Sequence, residues 1–445
     1  MKRVYFGTDG VRGPYGGSVI NENFAARLGL AVARWSGAGG GEVVIGRDTR
    51  ASGADLEAAI AAGLRAGGLI PVSVGVAPTP AVARAVVTRG ARLGVVITAS
   101  HNPAADNGIK FFAPGGRKLT DAEEAEIEAF LPAPEAAPVW SGTQAVPRIE
   151  VVADYVAALT ARLPVGALRG WRIVADTAHG ATCGSTPAAL RGLGADVEVI
   201  GGAPDGLNIN AGVGSEHADG LVAAVRASGA KIGVAHDGDG DRCVLCDETG
   251  FLLDGDEILA ILALDALRRG ALPARTLVVT VQSNLGLDAV VCAAGGEVKR
   301  TDVGDRHVLE RMRAVGAQLG GESSGHIIDL SASPTGDGLA AALGVIVIMH
   351  ASGRPLSALR GELKKFPQGT KNLMVAAKRP LEACVALQRA IAALEAELGA
   401  AGRVMVRFSG TEPKLRLLAE AGTPEIVAEA LERLVAAARQ DLEVR

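Results

Sequence analysis

The chain has 445 residues, 48% of them hydrophobic, which is too much for one core and points to three or four domains. A net charge of −4 with no basic stripe, and aromatics at only 3%, speak against a nucleic-acid partner. The five cysteines, Cys183, Cys243, Cys246, Cys292 and Cys384, are scattered and odd in number, unlike a secreted disulfide framework.

The opening "MKRVYFGTDG" does not read as a signal peptide. Gly7 to Gly13, "GTDGVRG", is a glycine-rich turn carrying Arg12; the chain has no G-x-x-x-x-G-K-[ST], so a P-loop NTPase is not expected. "EVVIGRD" reads as a strand before a helix over 52–66. "IPVSVGV" leads into a helix over 79–88, and "RLGVVITA" into the polar stretch "TASHNPAADNGIKFF", Thr98 to Phe112. Such alternation predicts a mainly parallel sheet with helices on both faces. The proline-rich "LPAPEAAPVW", 131–140, reads as a connection. The alternation restarts with "WRIVAD", "PAALRGLG", "ADVEVI" and "KIGVAHD". It restarts again with "TLVVTVQS", a helix around Leu287, and "EVKRTDV". Cys243 and Cys246 have redox spacing but follow a strand-like run instead of opening a helix, so no redox or metal role is assigned. "LAAALGVIVIM" from Leu339 is too short to span a bilayer and reads as a buried helix. After "KKFPQGTK" the pattern becomes "NLMVAA", a helix over 381–398, two strands around a glycine turn in "RVMVRFSGTEPKLRLLAEA", and a last helix. The expected fold is three α/β domains with mixed, mainly parallel sheets, 1–150, 151–254 and 255–368, plus a smaller α+β domain, 369–445. The loops "GVVITASHNP", "IGVAHDGDGDR" and "QLGGESSGH" each follow an apolar strand, where open α/β sheets bind ligands, so they are expected to meet at a central cleft.

"HDGDGDR", His236 to Arg242, is the clearest chemical site. Asp237, Asp239 and Asp241 alternate with glycines that let the loop curl. Three carboxylates around one point repel unless a cation lies among them, and hard oxygen ligands favour magnesium. A calcium loop would need glycine where Arg242 stands and is rejected; Arg242 could add a phosphate contact, and a solvated acidic turn is the alternative. "GGESSGH", Gly320 to His326, read as extended, places Glu322 and Ser324 on one side to bond sugar hydroxyls. His326 is a proton or phosphate-binding candidate, and a plain polar turn is the alternative. "RFSGTEPKLR" offers the hydroxyls and N–H groups of Ser409, Gly410 and Thr411, flanked by Arg407 and Arg416. It reads as an anion cradle or as a simple hairpin turn. Adjacent Ser100 and His101 would point apart on an extended chain, so His101 is not expected to act as an essential base. A serine at a strand end, a cation site and several phosphate-binding groups together suggest phosphoryl transfer to and from Ser100, not acyl transfer.

"TASHNP", "DGDGDR", "GESSGH" and "RFSGTEP" stand in the order and spacing of the α-D-phosphohexomutases, and the chain resembles that family over nearly its whole length. "YFGTDGVRG", "DNGIKFF", "NINAGVGSEH", "VGDRHVLERM" and "PTGDGLAAAL" are similar to its branch acting on hexosamine phosphates. The resemblance implies that Ser100 is a phosphoserine in the active form, with Thr98, His101 and Lys110 around it. Arg12, Lys110, His101 and His326 would join it in catalysis. One Mg2+ would lie on Asp237, Asp239, Asp241 and the Ser100 phosphate. Arg242, Asp305, Arg306, Glu322 and Ser324 would bind substrate, and Arg407, Ser409, Gly410, Thr411 and Arg416 would grip the phosphate that is not reacting. The chain departs from the branch in Ser323, where Gln is usual, and Phe408, where Pro is usual.

The implied reaction interconverts glucosamine 6-phosphate and glucosamine 1-phosphate through a phosphoserine enzyme and glucosamine 1,6-bisphosphate or a similar sugar bisphosphate, serving UDP-N-acetylglucosamine synthesis. A phosphomannomutase/phosphoglucomutase is the alternative within the family. A serine hydrolase lacks its G-x-S-x-G elbow here, and an intact Ser100 disfavours a non-catalytic sensor. The enzyme is expected to be cytoplasmic, a monomer or homodimer, with a hexosamine phosphate as substrate and neither nucleic acid nor membrane as partner.

Overall fold

A computed structural model describes residues 3–7, 9–37, 39–136, 138, 140, 145–409 and 413–444. It divides into two compact units, Met1–Gln282 with Ala294–Glu362, and Ser283–Ala293 with Leu363–Arg445.

The first unit holds three sheets. One is built from β1 (Val11–Pro14), β2 (Glu42–Arg47), β3 (Ile70–Val76), β4 (Leu93–Ile97), β5 (Asp106–Ala113) and β6 (Arg117–Lys118). The next contains β7 (Arg172–Asp176), β8 (Asp196–Ile200), β9 (Ile232–His236), β10 (Cys243–Asp247) and β11 (Leu252–Leu253). The third contains β12 (Thr276–Thr280), β13 (Glu297–Thr301), β14 (Leu319–Gly321) and β15 (Ile327–Asp329). All three share one plan. A parallel triplet has its first strand in the middle (β3-β2-β4, β8-β7-β9, β13-β12-β14), and an antiparallel strand is added beside the triplet's last strand (β5, β10, β15). The loop joining that last parallel strand to its antiparallel neighbour is therefore the same topological position three times. It holds Ser100 in the first sheet, the three aspartates in the second and Glu322 to His326 in the third.

The inner strands are rich in apolar β-branched residues because both faces are covered: β4, "LGVVI", β9 and β12 are buried at every position, whereas the edge strands β8 and β13 are partly exposed. The expected helices appear at Gly53–Ala66, Thr79–Arg89, Thr186–Gly192 and Gly286–Ala293, the last in the second compact unit. The apolar run from Leu339 lies in the helix Gly338–Ser352, capped by Asp337, whose carboxylate accepts the Ala340 N–H. Eleven of its residues are buried, and each large one contributes about 1.5–3 kcal/mol of transfer free energy. The sequence reading does not include the helices Glu22–Trp35, Asp121–Ala129, Gly255–Arg268 and Asp305–Val315, or the antiparallel strands β1 and β5. Cys243 and Cys246 are buried in β10, as free thiols.

The second unit pairs β16 (Gln368–Met374), β17 (Arg403–Phe408) and β18 (Lys414–Glu420) as an antiparallel sheet in the order β16-β18-β17, under helices Val385–Leu398 and Pro424–Asp441. The helix expected from 381 begins as a short 3-10 turn, Leu381–Ala383, and becomes α-helical only at Val385. Among the described residues no helix is long and apolar enough to cross a membrane.

Candidate active site

Leaving β4, the chain turns within a few residues. The Ser100 N–H donates to Thr98 Oγ1 (2.8 Å) and the Asn102 N–H to the Ala99 carbonyl (3.1 Å). Ser100 itself adopts φ 53°, a left-handed conformation costing roughly 1–2 kcal/mol for a residue with a Cβ. Two side chains hold it there. The buried Arg50 guanidinium and the Asn210 amide both donate to the carbonyls of Ser100 (3.1 and 2.8 Å) and Asn102 (2.7 and 3.0 Å). The result is a buried hydroxyl whose Oγ donates to Asp237 Oδ2 at 2.5 Å. The turn also corrects one expectation. The segment is not extended, and the His101 ring swings round so that Nδ1 lies 3.4 Å from Ser100 Oγ. Burial, then Arg242 and Arg12, push the His101 pKa down, so this ring is neutral.

The aspartate loop curls as its glycines allow. Asp237 Oδ1 accepts the N–H groups of Gly240 (3.1 Å) and Arg242 (3.2 Å). Gly238 is required by close approach, since a Cβ there would lie 2.6 Å from the Ser100 carbonyl oxygen. His236, at the end of β9, is buried between Thr186 and the Arg242 carbonyl, and burial pushes its pKa down to about 4, so it is a neutral strut. The three carboxylates each offer an oxygen within 4.8 Å of the others, and all three are buried. Burial, then Asp239 and Asp241, push the Asp237 pKa well above the usual carboxylate range. Lys110 Nζ compensates part of this charge, 2.6 Å from Asp239 Oδ2 and 3.2 Å from Asp241 Oδ2. Burial opposes its ammonium, but Asp239, Asp9 and Asp241 outweigh that and raise its pKa well above the ordinary value. Asp239 Oδ1 and Asp241 Oδ1 remain buried without a hydrogen-bond partner among the described residues, so the donor set fits a hard divalent cation.

Glu322 to His326 is a tight turn, not the extended segment expected: the Gly325 N–H donates to the Glu322 carbonyl (3.1 Å) and the Glu322 N–H to the His326 carbonyl (3.0 Å). Glu322 is half-buried, with Oε1 accepting the Gly304 N–H at 2.9 Å, and Ser324 is exposed. His326 is buried, with Nδ1 3.5 Å from Asp241 Oδ1 and Nε2 3.2 Å from Asp305 Oδ2. Burial opposes its charge, but Asp305 and Asp241 prevail and raise its pKa to about 10. Arg12 reaches Asp9 Oδ2 at 2.5 Å and the Ala99 carbonyl at 3.4 Å. Arg242 lies between Glu216 (3.9 Å) and Asp241 (4.0 Å). Arg306 does not join this group. The two terminal nitrogens of its buried guanidinium are bound to Glu124 and Asp121 on the helix Asp121–Ala129, while Nε, also buried, has no hydrogen-bond partner among the described residues.

In the second unit, Arg407 and Arg416 stand directly opposite each other on β17 and β18. Burial, then the charge of Arg416, push the Arg407 pKa down, a pairing that an anion would relieve. Ser409 is buried, its N–H donating to the Lys414 carbonyl (2.8 Å) and its carbonyl accepting from Lys378 Nζ (2.6 Å). Gly410 and Thr411 lie outside the described residues. Phe408 ends the edge strand β17 opposite Leu415.

Sequence reasoning missed Arg50, Asn210, Thr79, Asp9 and Lys118. Thr79 Oγ1 donates to Asp239 Oδ2 at 2.5 Å. Asp9 and Asn210 lie within quoted stretches, "GTDGVRG" and "NINAGVGSEH". Arg50, Thr79 and Lys118 carry no local signal, because only the fold brings them to the site.

Three α/β sheets that repeat one topology, a fourth α+β sheet, and a buried serine against an acidic triad define the architecture of a phosphohexomutase. Family models described as phosphoglucomutase/phosphomannomutase, alpha/beta/alpha domains I, II and III and C-terminal domain, match residues 3–137, 153–250, 254–366 and 371–437. The chain belongs to the phosphoglucomutase/phosphomannomutase family. A phosphoglucosamine mutase of Symbiobacterium thermophilum is 46% identical over 93% of this chain and 94% of its own length. Another, of Frankia casuarinae, is 46% identical over 98% of each chain. The crystal structure of a phosphoglucomutase/phosphomannomutase family protein from Burkholderia thailandensis shares the fold, with a TM-score of 0.83 and 24% identity over 99% of this chain and 98% of that one.

Proposed function

We propose that this chain interconverts glucosamine 6-phosphate and glucosamine 1-phosphate, with Ser100 carrying the exchanged phosphoryl group. The observation that carries this reading is the 2.5 Å contact of Ser100 Oγ with Asp237 inside a buried carboxylate triad. The choice of sugar is supported by full-length relatives named phosphoglucosamine mutase. In the forward half-reaction the Ser100 Oγ–P bond breaks as a sugar hydroxyl oxygen bonds to phosphorus, and the hydroxyl proton leaves to a base. The sugar bisphosphate so formed turns over and returns its other phosphoryl group to Ser100. Asp237, Asp239, Asp241 and a phosphate oxygen on Ser100 would hold one Mg2+, which when bound neutralises charge on the transferring phosphoryl group. Lys110 and Arg12 bring positive charge to the same end of the site. Neutral His101 is the nearest ring nitrogen to Ser100 Oγ and assists its proton without being essential.

Glu322 and Ser324 would bind the sugar, with Asp305, Arg242 and His326 beside them. Arg407, Ser409, Gly410, Thr411 and Arg416 would take the phosphate that is not reacting. Arg306 is better assigned to joining its helix to Asp121–Ala129. The domains would then be 1–150 for the phosphoserine, 151–254 for the metal, 255–368 for the sugar and 369–445 for the distal phosphate. The test is intact mass together with turnover. The purified enzyme, primed with a hexose bisphosphate, gains one phosphoryl group on Ser100 and converts glucosamine 6-phosphate. An unphosphorylated protein with full turnover would overturn the mechanism.

A further inference from the structure

Six buried or half-buried side chains of the first unit form a closed ring in which acid and base alternate. Lys110 Nζ lies 3.5 Å from Asp9 Oδ2, and Asp9 Oδ1 lies 2.8 Å from Lys118 Nζ. Lys118 Nζ also pairs with Asp305 Oδ2, the oxygen that His326 Nε2 approaches at 3.2 Å. His326 Nδ1 faces Asp241 at 3.5 Å, and Asp241 closes the ring on Lys110 at 3.2 Å. Three segments matched by different family models contribute. Asp9, Lys110 and Lys118 come from the first, Asp241 from the second, and Asp305 and His326 from the third.

The metal triad accounts for Asp241, and the serine end accounts for Lys110. Nothing in that chemistry accounts for Lys118, a 7% exposed lysine on the two-residue strand β6. Burying an ammonium is costly unless it is paired, and this one is paired to two carboxylates on separate segments. His326 has one face closed as well. A Cβ at Gly336 would fall 2.0 Å from its Nε2, so the ring has no room on that side and is oriented by its two aspartates. Asp305 opens the helix Asp305–Val315, and the next residue, Arg306, ties that helix to Glu124.

We propose that Lys118 is a positioning residue of the mutase reaction: by holding Asp9 and Asp305 together it fixes His326 in the site and makes that placement depend on the first and third domains being joined. This rests on the function proposed above. The expected loss is in kcat, because a misplaced group costs turnover while leaving sugar contacts in place.

The experiment uses the phosphorylated, magnesium-loaded enzyme as wild type, Lys118→Met and Lys118→Arg. Three quantities are followed: kcat and KM for glucosamine 6-phosphate, magnesium affinity by calorimetry, and the His326 ring signal in histidine-labelled protein, assigned with His326→Gln. Lys118→Met is expected to lower kcat by up to ~100-fold with KM nearly unchanged, and to shift the His326 signal. Lys118→Arg is expected to restore most of both, and magnesium affinity stays the same in all three. Should Lys118→Met fail to fold, Asp305→Asn, which keeps the lysine, is expected to give the same loss of kcat and the same ring shift. Wild-type kcat in Lys118→Met, or lost kcat with an unmoved His326 signal, overturns the proposal. The ring signal needs no turnover, so it reports on this placement even if the wild-type assay rejects the mutase reading.

Discussion

Arg50 and Asn210 donate to the same two carbonyls, those of Ser100 and Asn102, although they stand 160 positions apart by the difference of their numbers and belong to different family-model segments. A strained serine turn is therefore held by two independent clamps. Asn210→Ala should leave the fold intact, because Arg50 still satisfies both carbonyls. It should lower kcat by about tenfold to 100-fold, as Ser100 loses one of its two clamps and is held less rigidly. Arg50→Met removes a buried charge that also pairs with Asp48, and should cost ~3 kcal/mol of stability as well. Thermal denaturation beside steady-state kinetics separates the two, and equal Tm losses with no kinetic difference would refute the clamp.

Ser100→Ala should abolish turnover and the phosphoryl mass on the protein together. His101→Ala should retain measurable turnover, since Nδ1 sits at 3.4 Å, the outer limit of a hydrogen bond, and phosphoryl transfer leans mainly on positioning and charge. An inactive His101→Ala enzyme with a normal phosphoserine would make this ring the required base.

Most of this site was legible in the sequence where one short segment carries several chemical groups. Asp237, Asp239 and Asp241 sit on one loop, and the loop's glycines signal the curl. What was not legible was long-range. Lys118 and Arg50 look like any surface cation until β6 and the turn after β2 place them. The two loop conformations failed for a related reason: Ser100 and the Glu322 turn were read as extended from the strands before them. Serine at φ 53° is a state that local propensity disfavours and that Arg50 and Asn210 impose. Arg306, which the resemblance implies as a ligand contact, lies against Glu124 and Asp121, partners that no local pattern announces.

Asp239→Asn removes one of the three carboxylates proposed to hold the metal. Magnesium affinity, measured by calorimetry on the unphosphorylated protein, should fall by at least tenfold, which corresponds to about 1.4 kcal/mol. Wild-type thermal stability should rise with added magnesium by mass action, and the variant should need a higher concentration for the same rise. A variant that binds magnesium as tightly as wild type would remove Asp239 from the site.

Asp337 gives a pH prediction away from the triad. Burial raises its pKa from an ordinary 3.8 to about 6, against the opposing hydrogen bonds of Ala340 N–H and Tyr155 Oη–H. Its folded form holds a proton that the unfolded form has released between those two values. Its contribution is therefore present below the lower value and is lost as pH rises through about 6. Across that window stability should fall by at most about 1.4 kcal/mol per pH unit relative to Asp337→Asn, which still caps the helix but cannot titrate. Paired denaturation curves of wild type and variant from acid to neutral pH check this. A constant difference between them would place the Asp337 pKa outside the window.

If Glu322 binds the sugar as proposed, substrate choice can be tested through it. Its Oε1 is fixed by the Gly304 N–H, so the carboxylate has a set direction, unlike the exposed Ser324 two residues on. A glucosamine ammonium beside that carboxylate gains a charge-assisted hydrogen bond, which a hydroxyl at the same carbon makes only in its weaker, neutral-donor form. The wild-type enzyme should therefore favour glucosamine 6-phosphate over glucose 6-phosphate in kcat/KM, with slower but detectable use of glucose 6-phosphate. Glu322→Gln keeps the shape and the bond to Gly304 and removes the charge. It should penalise the amino sugar more than the neutral one and shrink the preference by roughly tenfold, the worth of one charge-assisted bond over a neutral one. The assay compares glucosamine, glucose and mannose phosphates side by side on phosphorylated wild type and Glu322→Gln. An unchanged ratio in the variant would mean that another group reads the amino nitrogen. Equal or better wild-type efficiency on mannose phosphate would reject glucosamine phosphate as the substrate while leaving Ser100 and the carboxylate triad their roles.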